Sequence, residues 1–92
     1  CKADEAWVRQ FDEKNSAEVD AAIVGTHIML EASALGLGVV WVGSFDPAKL
    51  KASFPETEGY EIVALFPVGV ALQDTSVNHD KRKPVEEFTS II

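Results

Sequence analysis

Between Ala21 and Leu35 the sequence runs AAIVGTHIMLEASAL, and no polar face survives when it is wound at 3.6 residues per turn. Ile23, Val24, Ile28, Met29, Leu30, Ala32, Ala34 and Leu35 go all the way round, and Glu31 is the only formal charge. A helix that is apolar on every side has to be covered on every side. Ahead of it, Asn15-Ser16-Ala17-Glu18 offers a capping side chain with a carboxylate three residues later, so a helix is expected from about Ser16 to Leu35. Twenty residues at 1.5 Å each make a rod about 30 Å long, the width of a small domain. The chain has 92 residues in all, too few to wrap that rod unaided. Gly25, Ala32, Ser33 and Ala34 would let another backbone come close. The expectation is that further polypeptide, a second subunit, or both complete the cover.

Charge narrows the partners. Fifteen acidic against eight basic side chains give a net charge of −7, which opposes attraction to nucleic acid or anionic lipid. The apolar run is shorter than the roughly 20 residues a bilayer span needs and is broken by Gly25, Thr26, His27 and Glu31, so no membrane association is expected. The charged start, CKADEAWVRQFDEKN, is unlike a signal peptide. Cys1 is the single cysteine, which rules out an internal disulfide and suits a reducing, cytoplasmic setting. Its place at position 1, where an initiating Met would stand, suggests a processed chain or a piece of a longer protein; residues 1–92 are expected to form one partial domain.

Elsewhere the pattern changes repeatedly. Trp7, Val8 and Phe11 would share one face of a short amphipathic helix within residues 1–15. Gly36 is placed to end the long helix, since the residue after a helix favours positive φ. Val39-Val40-Trp41-Val42 reads as a short buried strand between glycines. Asp46-Pro47 opens a helix over about Ala48–Phe54, with Asp46 as cap. Tyr60–Leu72 reads as a long central strand covered on both faces, bent or unpaired at Pro67, with Gly69 admitting a close neighbour. QDTSVNHD is loop, and Val85–Ile92 is a short terminal helix or strand.

Familiar catalytic sets are missing. There is no Cys/His metal spacing, no phosphate-cradling glycine loop and no serine nucleophile motif. His27 reads as a hydrogen-bonded imidazole of a core or interface, His79 as solvated, and Glu31 as a structural partner or a tuned acid. Two segments carry more. Gly38 and Gly43 flank the Trp41 strand, and serve either tight turns or the close approach of a flat ligand to backbone amides. Lys81-Arg82-Lys83 is the sole basic cluster in an acidic chain, either a solvated face or a phosphate contact.

Taken in order, VDAAIVGTHIMLEASALGLGVVWVGSFDPAKLKASF, then YEIVALFPVGVA, then KRKPVEEF, the chain resembles the C-terminal half of the FMN-dependent nitroreductase family. The resemblance spans about Asp20 to Phe88. It implies an α+β fold, a three-layer α/β/α sandwich of which only the C-terminal half is present. It further implies a homodimer that holds FMN at the subunit interface, takes hydride from NADH or NADPH, and reduces nitroaromatics, quinones or similar small-molecule acceptors. By that resemblance Val42, Gly43 and Ser44 run their backbone past the reactive edge of the flavin, and Trp41 lies beside the ring or supports this loop. Arg82 matches the family's C-terminal phosphate contact, with Lys81 and Lys83 as alternatives for a second one; Asp80 stands where some members carry a further basic residue. The family's opening Arg-x-Ser-x-Arg segment has no counterpart here, so a flavin site built from these residues alone would be incomplete. The other reading is a noncatalytic dimerising half-domain without flavin.

Overall fold

A computed structural model describes residues 1–92. Helix α1 runs Ala17–Ala34, strand β1 is Gly38–Val39, helix α2 is Pro47–Ser53 and strand β2 is Val68–Gly69, with single 3₁₀ turns at Ala3–Glu5, Pro55–Thr57 and Val85–Glu87. No helix is long and apolar enough to cross a membrane.

α1 begins within a residue of the expected start, but without the expected capping box: Ser16 makes no side-chain cap bond and the Glu18 carboxylate none. The Asn15 carboxamide oxygen accepts from the Ala17 amide at 2.8 Å, its nitrogen donates to the Ala3 carbonyl at 2.7 Å, and the Ser16 hydroxyl donates to Asp20 at 2.7 Å. The helix stops at Gly36, whose φ of +75° is left-handed, while the Leu37 amide reaches back to the Ala32 carbonyl at 2.9 Å. α2 is capped as expected: Asp46 Oδ1 accepts from Ala48 and Lys49 amides at 3.0 and 3.2 Å, and Pro47 occupies the first turn.

Residues 1–15 depart from the expected amphipathic helix. Val8 pairs antiparallel with Asn15, the Arg9 amide donates to the Lys14 carbonyl at 2.9 Å, and the Ser16 amide to the Trp7 carbonyl at 2.9 Å, forming a hairpin. Its tip is shaped by Asp12, whose carboxylate is gripped by both the Nε and Nη2 of Arg9, and by Glu13, which adopts a left-handed φ of 56°. The Arg9 guanidinium holds the Asp12 carboxyl below its usual pKa range. Local Asp and Asn bonding of this kind competes with helix, and the i, i+4 spacing of Trp7 and Phe11 does not outweigh it.

The long strand expected over Tyr60–Leu72 is realised as a shorter ladder. Gly38 pairs with Gly69 and Val39 with Val68, and the same antiparallel register returns at Val42 and Leu65, which exchange two backbone bonds of 3.0 Å each. That register sets Val40 opposite Pro67 at a hydrogen-bonding position. Proline has no N–H to give, so the ladder is interrupted there. The neighbouring pair, Trp41 opposite Phe66, is non-hydrogen-bonded, where side chains approach most closely. Their rings meet edge to face at 5.1 Å and 87°.

α1 lies on this aromatic pair through Gly25. A Cβ there would stand 2.7 Å from Phe66 Cζ and 3.1 Å from Trp41 Cζ3. The small residue at 25 thus admits two aromatic rings, where the sequence suggested another backbone. Only Ala17, Gly25 and Ala32 are buried within the chain, while Ile23, Val24, Ile28 and Leu30 remain about half exposed or more. The radius of gyration is 16.7 Å, against about 12 Å for a compact domain of this length. The expectation that this chain cannot cover its own helix therefore holds. Gly25→Val is expected to lower the thermal midpoint of the intact protein. Overpacking costs about 1–3 kcal/mol and outweighs the up to about 1 kcal/mol gained by removing a helix glycine; a midpoint equal to or above wild type would contradict the packing described.

Candidate functional site at the end of the Trp41 strand

The segment Trp41-Val42-Gly43-Ser44 is held at two fixed points. On one side Val42 is tied by both its backbone groups to Leu65; on the other, Asp46 caps α2. Between them the amides of Gly43 and Ser44 find no acceptor anywhere in the chain, and both residues are exposed. Both N–H groups are therefore without a partner in the chain and available to an acceptor brought from outside it.

The glycines of this stretch separate by what each position requires. Gly36 is needed for its left-handed backbone. Gly38 sits in the ladder, where a Cβ would stand 3.4 Å from Ala71 Cβ and 3.5 Å from the Gly69 carbonyl oxygen, at or near ordinary contact. Gly43 has no positive φ, and the nearest atoms to a Cβ there would be Trp41 Nε1 and Cδ1, at 3.6 and 4.0 Å. Nothing in the chain itself demands a bare α-carbon at 43.

Trp41 is 37% exposed, with its six-membered ring toward Gly25 and its Nε1–Cδ1 edge nearest to Gly43. Val42 is half-buried. Trp41 and Phe66 also share an open, largely apolar hollow of about 300 Å³ with Ala21, Tyr60 and Ile62.

Lys81, Arg82 and Lys83 are exposed and lie apart from this segment in bonding terms: no hydrogen bond or ion pair joins the two. Arg82 Nη1 donates to the carbonyls of His79 and Lys81 at 2.6 and 2.9 Å, which folds the guanidinium onto its own loop. Neither lysine has a carboxylate within ion-pair distance. His27 is hydrogen-bonded through Nδ1 to the Ile23 carbonyl at 2.8 Å and is exposed in this chain, as is Glu31. Phe66, which fixes the Trp41 ring, was not singled out from the sequence; a register counted back from Gly69 through Pro67 would have placed it opposite Trp41.

The comparisons agree with a mixed α/β chain. The nitroreductase family model matches residues 4–70. A crystal structure of a nitroreductase family protein from Clostridium difficile 630 is 33% identical and superposes with a TM-score of 0.83 over 97% of this chain. The chain covers 54% of that protein and so spans about half its length. No curated protein matches significantly. The chain belongs to the nitroreductase family, and its fold is the nitroreductase fold.

Hydrogen exchange tests the anchoring. In the ligand-free protein the Gly43 and Ser44 amides are expected to exchange much faster than those of Val42, Ala48 and Lys49. Asp46→Ala should deprotect Ala48 and Lys49 and destabilise by about 0.5–2 kcal/mol; unchanged protection at both would remove Asp46 as the anchor.

Proposed function

We propose that this chain is the C-terminal part of a flavin-dependent oxidoreductase domain that binds FMN, accepts hydride from NADH or NADPH and passes electrons to nitroaromatics, quinones or similar small molecules. The observation that carries the reading is the open, side-chain-free backbone at Gly43, with two unsatisfied amides and no internal reason for glycine. Family membership supports the oxidoreductase class. The donor set also fits a flavin: the free amides of Gly43 and Ser44 suit the acceptor-rich edge of the ring, the flat Trp41 side chain lies alongside, Val42 holds the strand end in place, and Lys81, Arg82 and Lys83 suit a phosphate.

When bound, the flavin supplies the hydride chemistry; the protein's contribution is binding, orientation and electrostatics. Gly43 and Ser44 would orient the ring by donating from positions fixed before the ligand arrives. Arg82 would offset phosphate charge with the guanidinium nitrogens not engaged by its own loop, and Lys81 or Lys83 would add a second cation. No side chain here is assigned as an acid or base. The uncovered faces of α1 favour a homodimer, with the remainder of the domain and a second copy as the cover. The negative charge and the lack of a spanning helix suit a cytoplasmic protein acting on small molecules.

One observation favours a noncatalytic half-domain: within the chain, the basic cluster makes no bond to the Gly43 segment. Flavin content separates the two readings. The intact protein is expected to purify yellow, or to take up added FMN, and to release it on denaturation. Gly43→Ala should leave the thermal midpoint of the FMN-free protein nearly unchanged, since a Cβ there meets nothing closer than 3.6 Å, while weakening FMN binding. Arg82→Ala should weaken it about tenfold or more by loss of a charge-assisted bond. Protein that never takes up FMN would sink the flavin reading; normal FMN affinity in either variant would take that residue out of the site.

A further inference from the structure

The orientation of Trp41 has a chemical consequence. Its six-membered ring is clamped: Cζ3 lies 3.1 Å from where a Cβ on Gly25 would stand, and Phe66 meets the ring edge to face at 5.1 Å. The clamp leaves the opposite edge toward Gly43, with Nε1 the nearest atom to the open position above that α-carbon. The indole N–H has no acceptor in the chain. This N–H lies nearest the position of Gly43, whose own amide and that of Ser44 also lack a partner within the chain.

We infer that Trp41 is a ligand-positioning donor: its Nε1–H, aimed by Gly25 and Phe66, completes with the Gly43 and Ser44 amides a three-donor array for a planar heteroaromatic ring bearing oxygen or nitrogen acceptors at its edge. This rests on the flavin reading above and adds to it. Trp41 does more than lie flat beside the ring, and the packing of α1 on the strand sets the direction from which one hydrogen bond to the ligand arrives. Residues far from the ligand edge, Gly25 and Phe66, thereby tune affinity through the tilt of one indole.

The test uses the intact protein with FMN as probe. Trp7 is 65% exposed and outside the site, so Trp7→Phe leaves Trp41 as the sole indole of this chain. In that variant, with tryptophan-specific ¹⁵N labelling and any indole outside this chain assigned by substitution, FMN is expected to move the Trp41 indole N–H resonance downfield and slow its exchange with solvent. Trp41→Phe keeps a ring against Phe66 and loses the donor; it should bind FMN about three- to tenfold more weakly, as loss of one neutral hydrogen bond predicts. FMN bound with an unmoved indole resonance overturns this inference and leaves the flavin reading standing. So does an indole N–H already protected before FMN is added, which would mean that another part of the protein accepts from it. Should Trp41→Phe fail to fold, the resonance decides alone. No FMN binding by wild type overturns both.

Discussion

The structure turns on one contact: the α-carbon of Gly25 pressed against the edge-to-face pair of Trp41 and Phe66. It joins the only long helix to the only sheet, and it does so by omission, since any side chain at 25 would occupy space already filled by Phe66 Cζ. Three facts converge there. The strand register puts Trp41 and Phe66 opposite each other, Pro67 removes the hydrogen bond next to them, and helix α1 presents a residue without a Cβ. Pleat alternation then sends Val40 and Val42 to the other face of the sheet, where this chain provides no second helix layer. The result is half of a sandwich: one helix on one face, and a face still waiting for its cover.

Three glycines within eight residues serve different ends, and the difference separates fold from function. Gly36 answers a backbone need and Gly38 sits within a strand pair. Gly43 answers neither. Its φ is ordinary, its would-be Cβ meets only the edge of Trp41, and its amide is unbonded. A glycine with no local reason sits where an external reason is to be sought, and the neighbouring Ser44 amide likewise has no partner within the chain. The contrast with Gly25 is instructive: both lack a side chain beside Trp41, one because the protein fills the space and the other with the space left open.

What was legible in the sequence follows from how local each determinant is. The bounds of α1, the stop at Gly36 and the Asp46-Pro47 start of α2 rest on chemistry spanning a few residues and all three were readable, although at the start of α1 an Asn15 bond to the Ala17 amide stands in place of the Ser16–Glu18 box. The break near Pro67 was readable because a missing N–H is a property of one residue. The hairpin at residues 7–16 was not, because helical spacing of Trp7, Val8 and Phe11 argued one way and Asp12, Glu13 and Asn15 another, and nothing in the sequence weighs a bidentate Arg9–Asp12 pair against helix propensity. The Gly43 segment stands out in the sequence through its glycines and its resemblance, whereas the lack of partners for its amides within the chain and the packing of the Trp41 ring depend on strand register and on contacts between residues more than fifteen apart.

The uncovered surface bears on what kind of complement the chain takes. Its accessible area is 7981 Å², while a compact monomer of 10.0 kDa would expose about 5,200 Å². The excess of roughly 2,700 Å² is about three times what one partner buries in a standard docking interface. Much of it is aliphatic and aromatic: Ile23, Val24, Ile28 and Leu30 on α1, and Phe88, Ile91 and Ile92 near the end. An area of that size and character is what shared cores bury, as in obligate assemblies and the two halves of one domain, and a transient encounter leaves most of such a surface wet. Helix α1 and the open position at Gly43 meet at Trp41, whose six-membered ring lies against Gly25 and whose Nε1 edge lies nearest Gly43.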